Sequence, residues 1–185
     1  MPIQSWSQTL VVAQGDGTAL TAAATASALP AAAKFTLPAN FFDTIGKSLR
    51  VQASGRVSTV ITTPGTFQWQ VKFGATAVFD SLSILPDTVA GHTNVGWLLD
   101  ILLVCRVVGT SAALFGQGTF TSEDILGVPA TAPKGVLSAV LPWNSAPASG
   151  TTFDSTASQQ VDLAFTQTAA TGSLTLHNYL LTSLN

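Results

Sequence analysis

Charge is what this sequence has least of. Only 9% of its 185 residues are Asp, Glu, Lys or Arg, while 46% are hydrophobic; an ordinary globular domain devotes about a quarter of its residues to charge. The formal net charge is −2 and no basic run occurs, so the electrostatic footprint of a nucleic-acid binder is missing. Cysteine is represented by Cys105 alone, which rules out an intrachain disulfide. That matters for "ALFGQGTF" at 113–120, which reads like the last strand of an antibody light-chain variable domain. Such a domain pins its two sheets with a Cys–Cys bridge, and none can form here. Cys105 reads instead as a small buried hydrophobe within an apolar run.

Acid–base and metal chemistry are equally short of material. Glu123 is the only glutamate and sits next to Asp124, whereas a glycosidase needs two carboxylates facing one another across a cleft. The two histidines, His92 and His177, lie far apart in sequence, and no phosphate-loop, zinc, calcium-loop or G-x-S-x-G spacing occurs. The expectation is a protein that is not an enzyme and needs no cofactor or metal. The N-terminus lacks a cationic segment leading into a long apolar one, as a signal peptide would have. The longest apolar run, "VGWLLDILLVCRVVG", is interrupted by Asp100 and Arg106, which argues against a membrane span. A chain this poor in charge must cover itself with Ser, Thr, Asn and Gln, or bury surface against copies of itself or a larger assembly.

What the sequence does contain is short alternating runs punctuated by Gly, Pro, Asn and Asp. From Leu49 to Ile61 the odd positions are mostly apolar and the even ones polar, which predicts a strand with one wet face. The Pro64-Gly65 pair predicts a type II turn, and Phe67, Trp69, Val71 and Phe73 share one face of the next run, so the two are expected to form a hairpin. A further strand is expected around 76–85. Residues 96–108 are apolar on both faces, as for a strand buried on both sides or facing another subunit. Gly116 and Gly118 predict a glycine-bulged strand at 112–121. Residues 122–151 hold four prolines and no period, and are expected to be a long loop with a helical turn begun at Ser122. The runs 160–168 and 173–182 predict a closing hairpin. The Ala-rich stretch from Thr18 interleaves Thr and Ser and is broken by Pro30 and Pro38, so 1–33 reads as an extended N-terminal arm and first strand. The whole is an all-β antiparallel sandwich or jelly roll of about eight strands, with residues 34–185 as its single domain.

Within the doubly apolar run, Trp97, Leu99, Asp100 and Arg106 are candidate interface residues. Asp100 and Arg106 fall on one strand face and should be paired, with Arg50 or Arg56 as partners, or lie at a subunit contact. Trp6 is the candidate anchor of the arm. Trp143 and Asn144, in "LPWNS", are the candidates for a ligand loop, with Trp143 alternatively a loop anchor folded onto the body.

The order "TASALP" (25–30), "FTLPANFFDTIGKSLRVQASGRVST" (35–59), "TPGTFQWQVKFG" (63–74), "GQGTFTSE" (116–123) and "FDSTASQQVDLAFTQTAATGSLTLHNYLLTSLN" (153–185) resembles a family of structural proteins of tailed bacteriophages. The resemblance implies a jelly-roll, tumour-necrosis-factor-like sandwich on the head or tail surface, often trimeric. It implies a virion protein assembled in the bacterial cytoplasm, most simply a capsid decoration protein. Its partners would then be copies of itself in a homotrimer and the major capsid protein or other virion proteins. A tail-tip or fibre module that binds a host receptor or glycan is the alternative.

Overall fold

The computed structural model describes residues 6–88, 90–128 and 132–184, with the backbone alone over 123–128 and 132–137. Eleven strands follow one another: β1 (Ser7–Val12), β2 (Thr25–Ser27), β3 (Phe35–Leu37), β4 (Ser48–Thr59), β5 (Phe67–Phe73), β6 (Thr76–Asp80), β7 (His92–Val107), β8 (Ala113–Val128), β9 (Ala132–Leu141), β10 (Gln159–Gln167) and β11 (Ser173–Leu184). They form two antiparallel sheets, one ordered β1-β11-β4-β7-β8-β9 and the other β2-β10-β5-β6, with β3 also on β10. The fold is an all-β sandwich. Its pairs are nested: β1 with β11, β2 and β3 with β10, β4 with β7, and β5 with β6. This is a long hairpin rolled up on itself, the winding of a jelly roll. The extra strands β8 and β9 widen one sheet beyond it.

Alternation explains the interior. On β5 the odd residues Phe67, Trp69, Val71 and Phe73 are buried, and on β7 so are Trp97, Leu99, Ile101 and Leu103. Trp69 and Trp97 meet across the two sheets, ring centres 4.9 Å apart, with Phe120 and Phe165 around them. A second aromatic group, Phe42, Phe73 and Phe153, fills the space beside them.

Three expected connections turn out differently. The Pro64-Gly65 segment has Gly65 at φ 74°, the value that a type II turn needs there and one at which a side chain would be strained. It nevertheless carries the chain from β4 in one sheet to β5 in the other, so these strands form no hairpin. The same holds for β10 and β11, whose connection at 168–172 runs beside the first: the Thr66 N–H donates to the Thr168 hydroxyl at 2.8 Å. Short turns between alternating runs look alike whether the chain folds back in one sheet or crosses to the next. The third is the expected loop at 122–151. Ser122 is a buried residue of β8 and donates to the Gly96 carbonyl at 2.9 Å, and β8 and β9 pair from Gly118–Leu141 out to Val128–Ala132. No helical turn starts at Ser122. Of the four prolines, Pro142 and Pro147 lie beyond β9, and Pro133 stands in the edge strand, one of the places where a sheet tolerates proline.

The glycines of "FGQGTF" serve another purpose than a bulge. Pairing of β8 with β7 runs without a shift from Ser122 to Leu114, and the irregularity falls at Arg106 on the other strand. A Cβ on Gly116 would come within 2.3 Å of the Phe79 ring, and one on Gly118 within 2.3 Å of the Asp100 carbonyl. They are glycines because a sheet-to-sheet neighbour and the adjacent strand come too close for any side chain.

The N-terminal segment belongs to the sandwich from Ser7 onward. Strand β1 is an edge of the larger sheet and β2 an edge of the smaller, and between them the Gly17 N–H donates to the Leu176 carbonyl at 2.9 Å.

Candidate functional site: the outer face of the six-stranded sheet

Every second residue of the larger sheet points away from the core; on β4 these are polar, Arg50, Gln52, Ser54 and Arg56 among them, as are Thr119 and Thr121 on β8, but along β7 leucines break the polar alternation of a solvated face. Leu98 is 61% exposed, Leu102 42%, Val140 58% and Val12 52%. Leu180 and Leu184 of β11 line the same surface. The sheet folds this way because the inward residues of the same strands are still more apolar; the outward leucines are those left over. Three hollows, of about 440, 640 and 490 Å³, indent the face; the first two share Ser54, Leu98, Thr121 and Asn178, and the third lies beside Leu102, Val140 and Leu184.

One charged pair stands among these aliphatics, across the two middle strands. The Arg50 guanidinium donates to both carboxylate oxygens of Asp100, through Nε at 2.9 Å and through Nη2, and Gln52 Nε2 adds a bond at 3.3 Å. The hydrogen bonds to Asp100, and then its charge, hold Arg50 above its ordinary pKa. This fork-to-fork geometry closes the pair on itself. Arg56 and Arg106 are exposed towards the two ends of β4 and β7. Arg106 is the residue displaced by the irregularity in β7, and its guanidinium lies 5.3 Å from the centre of the Phe115 ring.

The candidate interface residues therefore separate. Asp100 and Arg106 are on the outer face, though not bonded to each other. Trp97 and Leu99 are each 2% exposed and belong to the core, which removes them as contact residues. Strand parity gives the reason: odd and even residues of one strand point to opposite faces, so Trp97 and Leu99 cannot share a surface with Asp100. The residues sequence reasoning missed, Leu98 and Leu102, are the even neighbours of those it chose. Trp6 is 52% exposed and precedes the edge strand β1. Trp143 is half-buried and packs against the core, its backbone N–H donating to the Ser81 carbonyl at 2.7 Å, and Asn144 beside it is exposed at φ 51°.

Groups with chemical potential are scattered. His177 Nδ1 lies 2.8 Å from Asp16, at an irregularity where β11 pairs with β4, and His92 Nε2 lies 3.9 Å from Asp87. Cys105 is buried, which pushes its thiol pKa up. No group of three His, Cys, Asp or Glu that would suit a metal ion occurs among the described residues. No protein-family model matches the chain, and no curated protein does.

Proposed function

We propose that the protein is a structural component of a tailed-bacteriophage virion, a decoration protein that binds the head surface and stabilises it without carrying out chemistry. In this reading it works as a homotrimer, assembled in the bacterial cytoplasm, with its own copies and the major capsid protein as partners. The observation that carries the reading is the set of exposed aliphatic side chains, Leu98, Leu102, Val140 and Val12, on the outer face of the six-stranded sheet. A surface of this kind on an otherwise charge-poor chain is stabilised by burial in an assembly, and every apolar contact made there adds binding energy to the particle. The tail-tip reading needs an aromatic free to stack on a sugar; the best-placed one, Trp143, is largely taken up by the core.

Electron microscopy of whole particles tests this directly. The expected result is density for the sandwich at many symmetry-related positions on the head, hundreds of copies in all, and heads without it should break open at a lower temperature. A handful of copies at the tail would favour the receptor-binding module, and absence from purified virions would overturn both.

A further inference from the structure

A sheet that ends in solvent presents a row of unpaired backbone N–H and C=O groups, and proteins guard such edges with charge, proline, a bulge, brevity or a covering segment. Three of the four edges here are well guarded. Strand β9 carries Pro133 and Lys134. A strap at 142–150 lies over β6, with the Trp143 N–H bonded to the Ser81 carbonyl and Gly150 set against the Val78 carbonyl. Strands β2 and β3, beside β10, have three residues each. Strand β1 has only a bulge at Leu10, beyond which Val11 and Val12 are back in register with β11. The chain carries no charge before Asp16. Ser7, Gln8, Thr9 and Val12 are exposed, and among the described residues β1 pairs with β11 alone.

We propose that the β1 edge takes up an extended, uncharged segment of another virion protein, which adds a strand to the six-stranded sheet; the inference rests on the assembly reading and names the element that meets the partner. Register identifies the groups that would bind it. The Ala13 N–H donates to the Tyr179 carbonyl at 2.9 Å, which makes 13 and 179 a hydrogen-bonded pair. Val12 and Leu180, the next pair along, are then a non-hydrogen-bonded one, and the N–H and C=O of Val12 point out of the sheet's edge. Such groups recognise main chain, and ask of a partner only that it be extended. Side chains set the rest of its character. Val12 stands on the outer face beside Leu180, while Leu10 and Val11 pack against the core. A strand laid along them meets aliphatic groups and no ion, which selects a segment without charge. A second copy of the chain suits this edge badly. Pairing β1 with its own copy makes a twofold contact, which cannot close the threefold ring of the proposed trimer, and pairing it with a neighbour's β9 runs into Pro133 and Lys134.

Heads purified without the protein are the probe. The parent chain should bind them, and hydrogen exchange should find the Val12 amide open in the free chain and protected on the head, whereas the Ala13 amide, bonded to β11, is protected in both. Val12→Pro removes the outward N–H and leaves the Ala13 bond in place; it should keep the parent's far-ultraviolet spectrum and bind heads at least ~10-fold more weakly. Val12→Thr, which keeps the main chain, should bind nearly as the parent does. A Val12 amide that still exchanges freely in the bound chain overturns the proposal and leaves the decoration function standing, as does a folded proline variant that binds like the parent. The exchange measurement needs no variant, so it decides alone if the proline change unfolds the chain. Protection of Val12 in the free chain would mean that a copy of the chain fills the edge, and overturns the proposal as well. A parent chain that binds no head sinks the decoration reading and the proposal with it.

Discussion

On the five-stranded sheet, Asp80 accepts hydrogen bonds from Gln68 and Gln70 at 2.7 to 2.8 Å and from the Leu82 N–H. Two strands away, Asp162 holds Lys34 at 3.0 Å and accepts from the Ser27 hydroxyl. That outer face is a net of satisfied polar side chains. On the six-stranded sheet, the Arg50–Asp100 pair, Gln52, Ser54 and Asn178 share the outer face with exposed Leu98, Leu102, Val140 and Val12. Both sheets alternate, and both bury the same kind of aromatic and aliphatic residue inside; what differs is the other half of the alternation. A face dressed with Gln, Asp, Lys and Thr is finished in water. The larger sheet has polar groups as well, on β4 above all, and differs in carrying exposed aliphatic side chains among them.

The largest test of this contrast uses two neighbouring residues of β7. Trp97→Ala opens the contact with Trp69 and Phe120, and should cost about 3–5 kcal/mol in denaturant unfolding. Leu98→Ala, one residue along and on the other side of the sheet, should change the stability of the separated subunit by no more than about 0.5 kcal/mol. Comparable costs at the two positions would mean that the outer face is already part of a subunit's own core.

How legible these faces were depended on the kind of information needed. The alternation of β4 and β5 is local, and a reader of Phe67, Trp69, Val71 and Phe73 sees the buried side correctly. The doubly apolar character of 96–108 is also local, and it does mark the strand with an unusual outer face. Which of its residues are outermost requires knowing which parity meets the opposite sheet, and Trp97, Leu99 and Leu98 do not announce that by composition. Sheet membership is further still from the sequence: nothing in "TTPGT" distinguishes a hairpin from a crossing, because the difference lies in partners more than a hundred residues away, such as Thr66 with Thr168. The β8–β9 hairpin was hidden by prolines that an edge strand tolerates. The Arg50–Asp100 pair was half visible, since an acid inside an apolar run needs a partner, while the choice between Arg50 and Arg56 depended on register.

A smaller effect separates the two sheets' acids. Asp80→Ala strips acceptors from two glutamine amides and from a backbone N–H, and should lower stability by about 1–2 kcal/mol. Asp100→Ala breaks a pair whose side chains are 46% and 36% exposed, and should cost under about 1 kcal/mol in the separated subunit. Thermal unfolding of the two variants compares them directly. A larger loss for Asp100 would show that the ion pair, rather than the aliphatic side chains around it, organises the outer face.

The smallest effect appears only in alkali and reports on the inner side of the same sheet. Tyr179 is 2% exposed on β11, next to the outward Leu180, and is the only tyrosine in the sequence. Burial, reinforced by the negative charge of Asp162, pushes its phenol far above the ordinary value. A group whose pKa is raised by folding contributes its full stability below the unfolded value, about 10, and loses it as pH climbs towards the folded one. At pH 11 the unfolded chain gains about 1.4 kcal/mol by ionising while the native chain cannot. The phenolate absorbance of the native protein should therefore stay flat past pH 10 and rise together with unfolding. Tyr179→Phe should remove that part of the alkaline slope and leave the stability curve near neutrality parallel to the parent's. A tyrosine that titrates near pH 10 in the folded protein would place its hydroxyl in water, and the inner and outer sides of β11 would then no longer be distinguished by burial.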